Sequence, residues 1–157
     1  MKDITYVQHE VTLEVLKGSI KRMLKDRNDE AFIAMTYNLL NSKVYIMLNE
    51  SASLILKDKT KFPKELLFTP TMAKLSVIYK FNNKIWFPIF LTNDIEKEEI
   101  PDNTFLAEVD FYDICNLFWC NETTLDGFNI DPTDIGIQLT KEYIAEMCAL
   151  KELIDAE

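Results

Sequence analysis

The chain has 157 residues, 48% of them hydrophobic, and a formal net charge of −9, so we expect a single domain with a core of its own. The acidic balance argues against nucleic-acid binding, because phosphate contacts require Lys and Arg. No apolar run reaches the roughly 18 residues of a membrane span, and the N-terminus shows no signal-peptide core behind its charge, so we expect a cytoplasmic protein without membrane contacts.

Two helices are predicted in an N-terminal helical segment, residues 1–41. Apolar residues recur at helical spacing and predict an amphipathic helix from about Gln8 to Asp26. Asn28 is then a suitable N-cap with acidic residues directly after it, and a second helix should run to about Asn41.

The strand-rich middle of the chain, residues 43–139, opens with alternating apolar and polar side chains. This alternation predicts a strand over 44–48, and a second short strand is predicted over 53–56. From residue 57 to residue 70 the chain is rich in Lys and contains two Pro, so we expect a loop there.

A β-hairpin is predicted from Leu75 to Leu91. Two alternating runs flank Asn82-Asn83, and Asn tolerates the positive φ that tight hairpin turns require. Pro88 lacks a backbone donor, so we expect it at an edge, at a bulge, or with its missing donor facing outward.

Trp86 and Phe87 are neighbours in the second half of this hairpin, so their side chains should point to opposite faces of one strand. Either both faces are covered, or one face is a contact surface. Burial of both is the favoured interpretation, and Phe90 is also interpreted as a core residue.

The remaining elements follow in chain order. They are an acidic connection over 94–102 with one helical turn, a strand over 104–109, a short helix capped by Asp110, strands over 125–130 and 135–139, and a C-terminal helix over 140–155 capped by Thr140. Helices thus precede, interrupt and follow the strands. This order predicts an α+β fold with a mixed, mostly antiparallel sheet of about five to six strands, covered by helices, in one compact domain of residues 1–157.

Catalytic side chains are scarce. His9 is the only histidine, and any Ser or Cys nucleophile would have to use it. Cys115 and Cys148 fall on the apolar stripes of two helices, where a reduced Cys acts as a small hydrophobe. A zinc site would need both of them to converge with Cys120 and His9. We therefore expect no catalytic residues and no cofactor.

Phosphate and cation sites also lack support. The three Gly are isolated, so no Gly-rich phosphate loop forms. Asp126, Asp131 and Asp134 either make an oxygen-rich cation site or bond local backbone in turns. Their spacing is not that of a calcium loop, so turn chemistry is the favoured interpretation and no metal is expected.

Two stretches of the chain carry a family resemblance. The first is Lys84-Ile-Trp-Phe-Pro-Ile-Phe-Leu-Thr-Asn93, and the second is Leu125-Asp-Gly-Phe-Asn-Ile-Asp-Pro132. Over roughly residues 30 to 155 the chain resembles the SseB-type N-terminal domain of the enhanced-serine-sensitivity family. The resemblance implies a compact domain with no established chemistry, and without the second domain of longer members.

The chain departs from the family pattern at two positions. Phe90 and Thr92 match the strand-end Phe and Thr of that family. Asn93 stands where a Ser is common, and Asp131 stands where the residue before Pro132 is usually Asn. Any role that depends on the family's Asn is therefore not carried over to Asp131.

Charge is divided unevenly along the sequence. Residues 1–92 hold 14 basic and 9 acidic residues, whereas residues 93–157 hold 3 basic and 17 acidic residues. Either the acidic side chains serve solubility, or they form a face for a partner with a basic patch. The candidate partner surface lies after two predicted strands and consists of Thr92, Asn93, Asp94, Glu96, Glu98, Glu99, Asp131 and Pro132.

Three functional hypotheses remain from the sequence. The favoured one is a non-catalytic protein-binding or regulatory module of the SseB-like type, with an unknown protein partner and a possible homodimer. The alternative is an acidic inhibitor or immunity protein that neutralises a basic toxin, such as a nuclease. The third, a small hydrolase, lacks a nucleophile with a base.

Overall fold

A computed structural model describes residues 11–63, 65, 77–115 and 125–156. These residues form a mixed α+β fold with a six-stranded, mostly antiparallel sheet, which confirms the predicted fold class. In chain order the elements are α1 (Leu13–Asp26), α2 (Asp29–Leu40), β1 (Lys43–Asn49), β2 (Tyr79–Phe81), β3 (Lys84–Phe90), β4 (Thr104–Asp110), α3 (Phe111–Cys115), β5 (Gly127–Ile130), β6 (Ile137–Thr140) and α4 (Lys141–Ala156), with 3-10 turns at Glu50–Leu54 and Lys97–Glu99.

The sheet has the strand order β4-β1-β3-β5-β6, and β2 also pairs with β3. Strand β1 is antiparallel to both β3 and β4, and β5 is antiparallel to β6. Strands β3 and β5 form the parallel pair. Their carboxyl ends therefore lie side by side at one end of the sheet.

Both N-terminal helices begin at side-chain caps. The Thr12 hydroxyl accepts a hydrogen bond from the Val15 N–H, so α1 begins at Leu13 and not at the predicted Gln8, which lies outside the described residues. The Asn28 side chain accepts from the Ala31 N–H at 2.8 Å, which confirms the predicted cap of α2.

The hairpin turn has the predicted geometry. Asn82 and Asn83 have φ angles of 51° and 63°, the left-handed conformation that a two-residue type I′ turn requires. Tyr79 pairs with Trp86 across the hairpin. The predicted residues Leu75 and Ser76 lie outside the described part of the chain.

Pro88 lies inside the sheet, where β3 changes its neighbour. Strand β2 pairs with the first half of β3 and β1 with the second half, and one further step in the β1 register places Met47 opposite Pro88. The Met47 carbonyl accepts a hydrogen bond from the Val77 N–H at 3.0 Å instead. Val77 thus supplies the donor that Pro88 lacks, and Pro88 lies in an inner strand rather than at the edge of the sheet.

The short strand predicted over 53–56 was also wrong. The Asn49 side chain accepts a hydrogen bond from the Ser51 N–H at 3.0 Å, and the Ser53 hydroxyl donates to the Glu50 carbonyl at 2.7 Å. These local bonds stabilise a 3-10 turn in place of an extended backbone. Leu54 is 88% exposed as a result.

Both faces of β3 are buried. Trp86 is 4% exposed and Phe87 is 1% exposed, which confirms that both faces are covered. Phe87 lies on the helix-covered face, where its ring meets Phe128 edge-on at 6.1 Å, and Phe111 meets Phe128 at 5.9 Å. Such edge contacts add to the burial of apolar area in the main core.

Gly127 allows Trp86 to pack on the other face. A Cβ at Gly127 would collide with the backbone carbonyl oxygen of Leu139 and would stand 2.9 Å from the Trp86 ring. Gly127 is therefore required by a close approach inside the sheet.

We expect Phe90→Ala to lower the free energy of unfolding by about 3–5 kcal/mol, because a fully buried ring leaves a cavity. Phe90 is 0% exposed, whereas Phe81 in the same hairpin is 57% exposed. Phe81→Ala is the matched control and should cost less than about 1 kcal/mol. Urea denaturation measures both, and equal losses would contradict the burial of Phe90.

Candidate functional site

The two segments of the predicted partner surface meet at one end of the sheet. Ile89 of β3 lies beside Ile130 of the parallel strand β5, and the Asp131 N–H donates to the Ile89 carbonyl at 2.7 Å. The chain after β3 and the Asp131-Pro132 turn after β5 therefore leave the sheet as neighbours. The sequence placed both after strand ends but gave no reason for the strands to be adjacent.

The acidic segment, residues 92–102, leaves β3 as an exposed connection. The Thr92 hydroxyl oxygen accepts a hydrogen bond from the Asp94 N–H at 3.1 Å, so Thr92 caps the start of the segment. The predicted helical turn is the 3-10 turn at Lys97–Glu99, where the Glu99 N–H donates to the Glu96 carbonyl at 2.9 Å. These local bonds shape the segment before it enters β4.

The carboxylates of the acidic segment are exposed. They are those of Asp94, Glu96, Glu98, Glu99 and Asp102. No ion pair joins any of them to a residue that the structure describes. Thr92 at the start of the segment is half-buried and Asn93 is exposed. The segment thus presents net negative charge to solvent.

The predicted partner surface was wrong at Asp131, because this residue is buried rather than exposed. Its exposed fraction is 2% and its φ is 57°. Its carboxylate accepts a hydrogen bond from the Ile135 N–H at 3.3 Å, and its carbonyl accepts from the Gly136 N–H at 2.8 Å. Asp131 therefore builds the turn and cannot contribute to an exposed acidic surface. Pro132 beside it is half-buried.

Lys17 of α1 reaches this turn from the basic half of the sequence. Its ammonium Nζ lies 2.7 Å from Asp134 Oδ2 and 4.0 Å from Asp131 Oδ2. The hydrogen bond from Lys17 lowers the pKa of Asp134, and the same bond raises the pKa of Lys17. Burial raises the pKa of Asp131 despite the nearby ammonium. The charge division along the sequence is thus partly neutralised in the fold.

The three turn aspartates do not converge on a cation site. Asp126 precedes β5 and lies at the opposite end of that strand from Asp131. The Asp126 carboxylate accepts a hydrogen bond from the Ile85 N–H at 2.7 Å, so it bonds backbone as the sequence favoured. Among the described residues, no group of three or more His, Cys, Asp or Glu could hold a metal ion.

The described cysteines are buried in the core. Cys115 and Cys148 are both free thiols, as predicted. Burial raises the pKa of Cys115 well above its usual range, which keeps it a neutral thiol and a poor nucleophile at neutral pH. The candidate residues His9 and Cys120 lie outside the described part of the chain.

A concavity lies between the α1–α2 junction and the start of α4. Its volume is about 280 Å³, and Arg27, Asp29, Phe32, Glu142 and Tyr143 contribute to its lining. The Phe32 and Tyr143 rings lie 5.8 Å apart in it. The volume falls just below the roughly 300–1,000 Å³ of ordinary ligand pockets.

No protein-family model matches the chain, and no curated protein or solved structure matches it. The resemblance to the SseB-type domain therefore stays a prediction that rests on the residues of the chain. Over the described ranges, no helix has the length and apolar character to cross a membrane.

We expect Asp131→Asn to be at least as stable as the wild type at neutral pH. Burial raises the folded-state pKa of Asp131, so its ionisation destabilises the fold as pH rises from the unfolded value, about 3.9, through the raised value. Asn removes this penalty and tolerates positive φ. The advantage should vanish in acid, as measured by urea denaturation at several pH values.

Asp134→Asn is the control, because its effect on stability should depend on pH in the opposite direction. Lys17 lowers the folded-state pKa of Asp134, so its ionised form contributes stability above the unfolded pKa that is lost as pH falls. This variant should be less stable than the wild type at neutral pH and equal to it in acid. The same pH profile for both variants would contradict the assignment of Asp131 to a buried turn.

Proposed function

We propose that the protein is a non-catalytic protein-binding module of the SseB-like type. Its acidic segment contacts a partner that carries a basic patch. The observation that carries the proposal is the set of exposed carboxylates between residues 94 and 102 without an ion pair to the described residues. Elsewhere, by contrast, Asp134 and Glu108 each have a Lys partner.

The attachment of the acidic segment to strands at both of its ends supports a binding role. It begins directly after β3, whose residues 86–90 are buried, and it ends at β4, which pairs with β1 along its whole length. Both ends are therefore fixed by strands of one sheet. A loop held by a rigid scaffold is the usual place for binding residues, because little conformational entropy is lost on binding.

The charge of the segment favours particular partners. Clustered carboxylates attract a cationic surface and raise the rate of encounter. The same charge repels nucleic-acid phosphates and a second copy of the segment itself. A homodimer, if the protein forms one, would therefore use another surface.

The alternative function uses the same surface. An acidic inhibitor or immunity protein would place these carboxylates against the Lys- and Arg-lined cleft of a basic toxin such as a nuclease. The exposed carboxylates favour both functions equally. The partner separates them, because inhibition of a captured nuclease supports the alternative and binding to a non-toxic partner supports the regulatory module.

We expect the triple variant Glu96→Lys, Glu98→Lys and Glu99→Lys to associate about tenfold or more slowly with the partner. The partner is first captured from cytosolic extract and identified by mass. Association is then measured by surface plasmon resonance at low and physiological salt, where screening acts over about 8 Å. Circular dichroism checks that the fold is unchanged.

The matched control reverses three other exposed residues, Glu14, Glu50 and Glu152. It changes the net charge by the same amount but leaves the acidic segment intact. Equal slowing by both triple variants would indicate a general charge effect. An association rate that neither triple variant changes, or that does not depend on salt, would contradict the proposed surface.

A further inference from the structure

Two buried thiols meet between the last two helices. Cys115 ends α3 and is 0% exposed, and Cys148 lies in the middle of α4 and is 7% exposed. The Cys115 thiol is hydrogen-bonded to Cys148. The sequence assigned each thiol to an apolar stripe but gave no reason for the two to meet.

A second contact fixes the register of the two helices. The Lys151 ammonium lies 5.6 Å from the centre of the Tyr112 ring. Tyr112 precedes Cys115 by one helical turn, and Lys151 follows Cys148 by one turn, so the helices run antiparallel at this contact. Buried Ile144 and Met147 anchor α4 beside it. The two cysteines are therefore held at the interface of α3 and α4 by contacts on more than one side.

We propose that Cys115 and Cys148 are a site of oxidative modification at which a hydroperoxide converts the two thiols into an intrachain disulfide. Formation of the bond brings the two sulfur atoms from hydrogen-bond contact to about 2.05 Å, with a Cβ–S–S–Cβ dihedral of about 90°. No other described cysteine competes for either sulfur.

Opening of α4 controls the reaction. In the closed structure the thiols are shielded, and burial raises the pKa of Cys115, so the reactive thiolate is scarce. The final turns of α4 pack weakly against the rest of the fold, since Leu153 is 66% exposed and Ile154 is 40% exposed. Local opening from this end exposes Cys148 to water and to the oxidant.

The oxidation takes place in two steps. The Cys148 thiolate attacks one oxygen of the hydroperoxide, an S–O bond forms, the O–O bond breaks, and the departing oxygen takes up a proton. The product is a sulfenic acid at Cys148. After α4 closes, the Cys115 sulfur attacks the Cys148 sulfur, the S–S bond forms, and the S–O bond breaks. Hydroxide leaves with the Cys115 proton as water.

The test treats the folded wild-type protein with hydrogen peroxide, blocks remaining thiols with N-ethylmaleimide after unfolding, and measures intact mass and linked peptides. We expect a loss of two hydrogen atoms, two fewer blocked thiols, and a peptide that links Cys115 to Cys148. The oxidised form should melt on the order of 5 °C or more higher, because the bond restricts the unfolded chain.

Single Cys→Ser variants identify which two cysteines form the disulfide. Cys120→Ser should give the same product as the wild type, and Cys148→Ser should give none. A bond that requires Cys120, a bond between chains, or a mass gain from added oxygen without a disulfide would each overturn the proposal. The mapping of the wild type does not depend on how well the variants fold.

A rate measurement tests the opening step. Lys151 contacts Tyr112 and also lies 3.2 Å from Asp155, so Lys151→Ala should open α4 more often and speed the oxidation about threefold to tenfold. Glu152→Ala removes a neighbouring exposed side chain and is the matched control, with an unchanged rate. Equal rates for the two variants would overturn control by α4 opening.

Discussion

The bonding of β3 on both edges and its burial on both faces is the constraint on which the rest of the structure depends. One edge of β3 pairs with β2 and then β1, and the other edge pairs with β5. Residues beside this strand provide the hydrogen-bond partners and the space that its side chains and backbone require. Val77 supplies the donor that Pro88 lacks, Gly127 leaves room for the Trp86 ring, and Asp126 accepts the Ile85 N–H. A change in β3 therefore disturbs several elements at once.

The same strand determines how the candidate surface is built. Because β3 and β5 are parallel, their outgoing chains are adjacent, and the Asp131 N–H joins them by bonding the Ile89 carbonyl. Asp131 thus acts as the joint between the two segments, whereas the exposed carboxylates of residues 94–102 form the surface itself. The structural role of Asp131 and the proposed binding role of the exposed carboxylates thus fall to residues that the sequence alone grouped together.

Local chemistry explains which features could be predicted from the sequence. The Asn82-Asn83 turn and the Asn28 cap depend on residues within a few positions of each other, so their geometry was predictable. The Lys17–Asp134 pair and the Cys115–Cys148 contact join residues far apart in the chain. Periodicity gives no information on such pairs, nor on the hydrogen bond that joins Asp131 to Ile89 of the adjacent strand. The exposure of the acidic segment was predictable, because charge and a loop position agreed there.

The strand order has a consequence for how the chain reaches this structure. Strand β1 is made early, but its two neighbours, β3 and β4, are made much later, and Asn49 pairs with Thr104. Pairing across such separations closes long loops, so folding should be slow, on the order of milliseconds to seconds. Until β3 and β4 arrive, Val44, Ile46 and Leu48 have no sheet to join. During synthesis these apolar side chains therefore stay without strand partners, and the chain is prone to aggregation until β3 and β4 are made.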